Sequence, residues 1–210
     1  MAGTGTSIDD LTALGNQIRA CRVCIEHPSG PELPHAPRPV VRLSDTARIC
    51  ICGQAPGTRV HQSGIPFTDP SGDRLRAWMG VTEAEFYDTA RVAIVPMGFC
   101  FPGLDTKGGD LPPRKECVAT WHDRIFRAMP PAGLILIIGQ YAQAYHLGAE
   151  RKKTLTETVR SWRDYRDGGT GVVRLVLPHP SWRNTDWLKK NPWFETDLLP
   201  VLRDEVRQRL

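Results

Sequence analysis

The chain has 210 residues, 40% of them hydrophobic and 24% charged, with a net charge of +4 at pH 7. Such a length suits one well-buried domain, residues 1–210, and the longest apolar run, Leu134 to Ile138, is far too short to span a bilayer. A mildly basic balance suits a partner carrying phosphates better than an acidic chain would. The opening MAGTGTSIDD has no basic n-region and no apolar h-region, so no secretory signal is expected and the cytoplasm is the expected compartment. Six cysteines in that compartment argue against structural disulfides.

Asp9 and Asp10 are positioned to cap a helix with Leu11, Leu14 and Ile18 on one face, which runs into Cys21-Arg22-Val23-Cys24. Residues 28–39 hold five prolines and read as an extended, irregular surface segment. Residues 47–52, ARICIC, cluster apolar side chains like a buried strand, so the following GQAPG falls where a strand's carboxyl end opens into a loop. Its two glycines and proline make a side-chain-poor turn whose N–H groups can approach a bound group. A helix is expected from Ser71 or Asp73 to Gly80, and another from Thr82 to Ala90 with Thr82 and Glu85 as a capping box.

A second strand, 91–95, opens into the Gly- and Pro-rich loop PMGFCFPGLDTKGGDLPP, and a helix carrying Cys117 runs from Pro113 to about Met129. LILIIG from Leu134 is the most strand-like run, followed by Gln140 and a short helix to Gly148, then a basic stretch, 151–166. Val172 to Leu177 is the fourth strand, ending on Pro178-His179-Pro180-Ser181. Asn191-Pro192 caps a last helix with Trp193, Leu198, Leu199 and Leu202 on its apolar face. Strands alternating with helices predict an α/β fold, a three-layer sandwich with a mostly parallel four-stranded sheet flanked by helices.

Three constellations carry chemistry. Cys21 and Cys24, with Cys100 and Cys117, make a four-thiolate set that fits zinc or an iron-sulfur cluster, set against four unrelated thiols. Cys50 and Cys52 share a strand face and read as core packing. His179, held between prolines at a strand end, suits a donor to a developing charge, against an ordinary structural histidine. The run SWRNTDWLKKNPWF interleaves Trp182, Arg183, Trp187, Lys189 and Lys190, mixing phosphate-binding cations with rings that wedge or stack on bases, against a plain surface loop.

Taken together, GQAPG followed by GIPF, then HPS at 179–181, and CRVC with Cys100 and the PPRKEC cysteine resemble the uracil-DNA glycosylase superfamily, most closely its iron-sulfur, family 4-like branch. The resemblance implies a DNA repair glycosylase that flips uracil from DNA and hydrolyses its N-glycosidic bond. It implies a structural 4Fe-4S cluster on Cys21, Cys24, Cys100 and Cys117, a monomer, and uracil-containing DNA as partner. By the same likeness Gly53, Gln54, Ala55, Phe67 and His179 hold the base, with Phe67 stacked on it and His179 donating to its carbonyl oxygen. Ser181, Arg183, Asn184, Lys189 and Lys190 contact DNA, Arg183 being the expected intruding side chain.

The chain departs from the family where water is activated: Gln54 replaces a glutamate, and Ala55 stands where another branch has aspartate. Gln54 can orient water but cannot accept its proton, which leaves His61 as a candidate base. The family's base-reading asparagine aligns near Val95 and Pro96, with Gln140 and Asn184 as candidate replacements. The alternatives are therefore a glycosylase for hypoxanthine or xanthine, and a catalytically weak DNA-binding member.

Overall fold

The computed structural model describes residues 8–166, 168 and 171–210. The first helix, α1 (Ile8–Arg19), buries Leu11, Leu14 and Ile18 as expected. Asp9 and Asp10 fall in its first turn, and the capping expected of their side chains lies outside the described residues. A single turn, α2 (Val23–Glu26), follows, then the proline-rich segment without regular structure, then β1 (Ile49–Cys52), buried along its length.

Next come α3 (Thr58–Ser63), α4 (Pro70–Met79) and α5 (Glu83–Tyr87). The N-cap of α4 is Asp69 rather than Ser71 or Asp73, because Pro70 sets the first helical φ and leaves the preceding carboxylate to accept from Gly72 N at 3.2 Å. The Thr82–Glu85 capping box is present, but α5 stops before Asp88, whose carbonyl turns to accept from Arg91 and Val92.

β2 (Val92–Ile94) leads through the long loop to α6 (Lys115–Cys117), a π-turn (Val118–His122) and α7 (Asp123–Ala128), one helical rod that carries Cys117 near its start. β3 (Leu134–Ile138) runs straight into α8 (Gly139–Leu147). The basic stretch forms α9 (Leu155–Arg160) and α10 (Trp162–Arg166) before β4 (Val173–Leu177). After α11 (Thr185–Lys190), a π-turn (Phe194–Leu198) leads into α12 (Leu199–Arg207), and Phe194 N and Glu195 N bond back to Asn191 and Pro192 carbonyls.

All four strands are parallel, in the order β2-β1-β3-β4. The chain leaves β1 in one direction, to β2, and returns to its other side for β3, so the carboxyl ends of β1 and β3 flank a topological switch point, where open sheets keep their sites. Arg42 bridges Ile94 antiparallel and covers the free edge of β2. Cys50 and Cys52 are buried core residues with their sulfurs 3.8 Å apart. No helix among the described residues is long and apolar enough to cross a membrane.

His122 and His146 are enclosed among Phe99, Phe126 and Tyr145, and burial depresses each pKa to about 4, a hydrogen bond to the Pro96 carbonyl partly opposing the shift at His122. Both are neutral when folded, whereas an unfolded histidine protonates below about pH 6.5. Their contribution is complete above that value and is lost as pH falls from about 6.5 towards about 4, by up to roughly 3 kcal/mol each. The urea midpoint is expected to drop steadily across that window; a flat midpoint would contradict the assignment.

Candidate active site

Above the carboxyl ends of β1, β2 and β4 lies a pocket lined by Gly53, Gln54, Ala55, Gly57, Phe67, Asp69, Asp110 and His179, among others. Its empty volume, open mouth included, is about 510 Å³. The GQAPG turn is held from behind: Met97 N and Gly98 N donate to the carbonyls of Gly53 and Gln54, each at 2.9 Å. Among the described residues no protein acceptor takes the N–H groups of Gln54 and Ala55, which leaves them for a bound group.

Phe67 is the one non-glycine residue with positive φ among those described, at 56°. Its carbonyl accepts from Arg76 Nη1 and Tyr87 Oη, both at 3.1 Å, and its ring meets Phe86 edge-on at 5.9 Å. Two glycines make room for this strained residue. A Cβ at Gly53 would lie 3.3 Å from the ring tip, and one at Gly72 only 1.7 Å from the Phe67 carbonyl oxygen. Gly72→Ala must therefore displace Phe67, at a cost of about 1–3 kcal/mol. Thermal melting is expected to show the loss as a fall of roughly 2–4 °C per kcal/mol, with base release falling further than stability accounts for.

His179 is fixed at both its ring and its backbone. Ser181 N donates to its Nδ1 at 3.2 Å, and Asn184 Nδ2 donates to its carbonyl at 2.7 Å. An accepting Nδ1 in a neutral ring puts the proton on Nε2, making that nitrogen a donor. Burial lowers the His179 pKa, with Asp69 acting in the opposite sense, so the neutral form is the working one.

Two carboxylates not singled out from the sequence stand in this pocket, Asp69 and Asp110. Asp69 is recognisable as a helix cap, the commonest duty of an aspartate before proline, and nothing local marks its second role. Asp110 lies in a loop without periodicity, so its position is set by tertiary structure alone. Asp110 is exposed at the pocket mouth, where partial desolvation raises its carboxyl above the usual range, Arg183 opposing and Asp69 and Asp105 reinforcing the shift. His61 does not line the pocket: it is on α3, its ring 3.9 Å from that of His35 and 5.9 Å from that of Phe101. The lining also includes the apolar Val40, Val60, Ile94 and Pro96, and Gln54 is its one amide side chain.

A wider groove continues from the mouth, lined by Thr58, Arg59, Leu104, Gln140, Ser181, Trp182, Arg183 and Asn184. Arg74 Nη1 ties this face to α4 by donating to the Ser181 carbonyl at 3.0 Å. Trp182 is 74% exposed. Arg183, in contrast, donates from Nη2 to the Gly108 carbonyl at 3.2 Å, so its head is engaged across the groove. Lys189 and Lys190 end α11 outside the groove lining, and Lys189 pairs with Asp186 at 3.8 Å.

Of the four expected ligand cysteines, Cys24 and Cys100 share a small buried cluster, while Cys117 lies in the main core with Cys21 packed against it. The Cys117 thiol donates to Cys24, whose pKa falls to about 7, while Cys100 interacts electrostatically with Cys21, Cys24 and Cys117. Trp121 Nε1 donates to Cys21 Sγ at 3.3 Å and Phe99 N to Cys117 Sγ at 3.4 Å. Arg114, paired with buried Glu116 at 2.5 Å, adds positive charge beside Cys24. Among the described residues, no three ligand-type side chains already converge at metal-binding geometry.

The parallel sheet thus carries at its carboxyl edge a pocket with a neutral histidine donor and an adjoining groove. The family model for the Uracil DNA glycosylase superfamily matches residues 41–203, and the chain belongs to that superfamily. Its general activity is thus that of a DNA glycosylase, a hydrolase of N-glycosidic bonds in DNA repair.

Proposed function

We propose that this glycosylase removes uracil from DNA as a monofunctional enzyme and leaves an abasic site. The observation that carries the reading is that His179, Phe67, Gln54 and Ala55 line one pocket, with Nδ1 of His179 accepting from Ser181 N and no protein acceptor for the N–H groups of Gln54 and Ala55 among the described residues. Phe67 stacks on the extruded base, and the Gln54 amide, with both a donor and an acceptor, meets its imide edge. As the bond breaks, negative charge grows on the base and His179 donates to its carbonyl oxygen. Asp69 and Asp110 supply the negative charge near the sugar that Gln54 cannot. Trp182, exposed at the groove, wedges into the duplex in place of the extruded nucleotide, the part expected of Arg183 from the sequence.

A second reading, excision of hypoxanthine or xanthine, is favoured by the apolar wall of Val40, Val60, Ile94 and Pro96 where the family's asparagine is expected. A structural 4Fe-4S cluster on Cys21, Cys24, Cys100 and Cys117 is part of the proposal, supported by the proximity of the thiols, the N–H···S bonds and the nearby Arg114. It would clamp α2, the loop after β2 and α6 together, away from the chemistry. The test is base release from duplex and single-stranded oligonucleotides containing uracil, hypoxanthine or xanthine, read as alkali-labile sites, with Trp182→Ala alongside. Uracil release by the wild type, with the variant impaired mainly on duplex, supports the reading; release of a purine alone selects the second, and no release from any substrate removes both.

A further inference from the structure

Asp69 and Asp110 both line the pocket and also the groove, so they stand at the junction where the sugar of an extruded nucleotide must sit. Their surroundings separate them. Asp69 Oδ1 already accepts from Ser71 Oγ at 2.6 Å and from Gly72 N at 3.2 Å, as a helix cap. Among the described residues no group donates a hydrogen bond to the Asp110 carboxylate, although its loop is firmly built. Asp105 Oδ1 accepts from Lys107 N and Gly109 N, both at 2.8 Å, and Asp105 N donates to the Gly109 carbonyl at 2.7 Å. A bridge joins Leu104 to Asp110, and Arg183, reaching from the HPS side, donates to Gly108 within the same loop.

We propose that Asp110 accepts the proton of the attacking water, that Arg183 is the positioning residue that holds the 104–110 loop for this purpose, and that Asp69 acts as a fixed negative charge beside the sugar. The inference rests on the glycosylase reading above. The bond between C1′ and the base nitrogen breaks with its electron pair on the base. Water oxygen bonds to C1′ and loses one proton to the Asp110 carboxylate, which returns it to the departed base or to solvent. A free carboxylate with a raised pKa suits this duty better than one committed to a cap. The charged groups acting on Asp110 are Arg183, Asp69 and Asp105.

Rate tracks the Asp110 carboxylate, so it falls as pH drops through the raised pKa; removing the Arg183 charge raises that pKa further and moves the acid limb to higher pH. Single-turnover base release from whichever base-modified oligonucleotide the wild-type protein acts on should be measured against pH for D110N, D69N, R183Q and R183K. D110N is expected to lose about 100-fold and the acid limb with it. R183Q should shift the limb upward, and R183K should restore it, which loss of a merely structural contact would not do. An active wild type with D110N within a few fold and its limb intact, or with the limb lost in D69N instead, overturns this inference alone. A wild-type chain that releases no base overturns the glycosylase reading and this inference together.

Discussion

Replacing His179 by alanine is expected to slow base release about 100- to 1,000-fold while leaving duplex affinity within a few fold. The barrier to this hydrolysis is dominated by departure of an anionic base, and a donor held in place before the charge appears has no reorganisation left to undergo. Ser181 N fixes the tautomer by donating to Nδ1, Asn184 holds the carbonyl, and Pro178 and Pro180 restrain the backbone on either side. Because burial lowers the pKa, the ring stays neutral at the ordinary histidine value near pH 6.5, and no limb of the pH–rate profile should appear there. Protonation at lower pH places a hydrogen on Nδ1, where Ser181 N already donates, so it disturbs the very contact that aims the ring. Single-turnover rates at saturating enzyme separate this loss from weaker binding, and a variant within a few fold of wild type would sink the assignment.

The fold was legible because each strand is an apolar run stopped by glycine or proline: ICIC before Gly53, LILII before Gly139, VRLVL before Pro178. Parallel order followed from the helices between them. The pocket was legible in its motifs, and Gly53, Gln54, Ala55, Phe67 and His179 do meet in one place. What periodicity could not show was which loop residues fold over that place. His61 is seven residues beyond Gln54, yet α3 carries it to a ring cluster with His35 and Phe101. Asp110 comes to the pocket from a loop after β2, and Asp69 hides its place there behind a capping role. In sequence the residues from Ser181 to Lys190 form one DNA-facing run, but the turn at Trp182–Asn184 and α11 split it, leaving Trp182 at the groove and Lys189 and Lys190 outside its lining.

Cys117→Ser is expected to remove more than about 4 kcal/mol of stability, a loss on the scale of a lost metal site or buried network. The residue sits at the start of the rod that crosses from α6 through the π-turn to α7, and its sulfur is the point where that rod meets both the 99–101 segment and α2. Serine cannot replace it: the shorter hydroxyl neither reaches the same partners nor binds iron as a thiolate does. With a cluster in place, one substitution should release iron and abolish visible absorbance, and melting should fall by roughly 10 °C at about 2–4 °C per kcal/mol. Cys50→Ser serves as the control, since its sulfur lies in β1 with Cys52, and should leave the iron content unchanged. A wild-type protein that is colourless, iron-free and stable would refute the cluster. The pocket is tied to these cysteines' backbone segments through Met97 and Gly98, which bond the GQAPG turn just ahead of Phe99, and through Val40 N, which donates to the Phe99 carbonyl at 2.7 Å. Any Cys117→Ser protein that stays folded should therefore keep its chemistry and lose activity only in proportion to how far those two struts have moved.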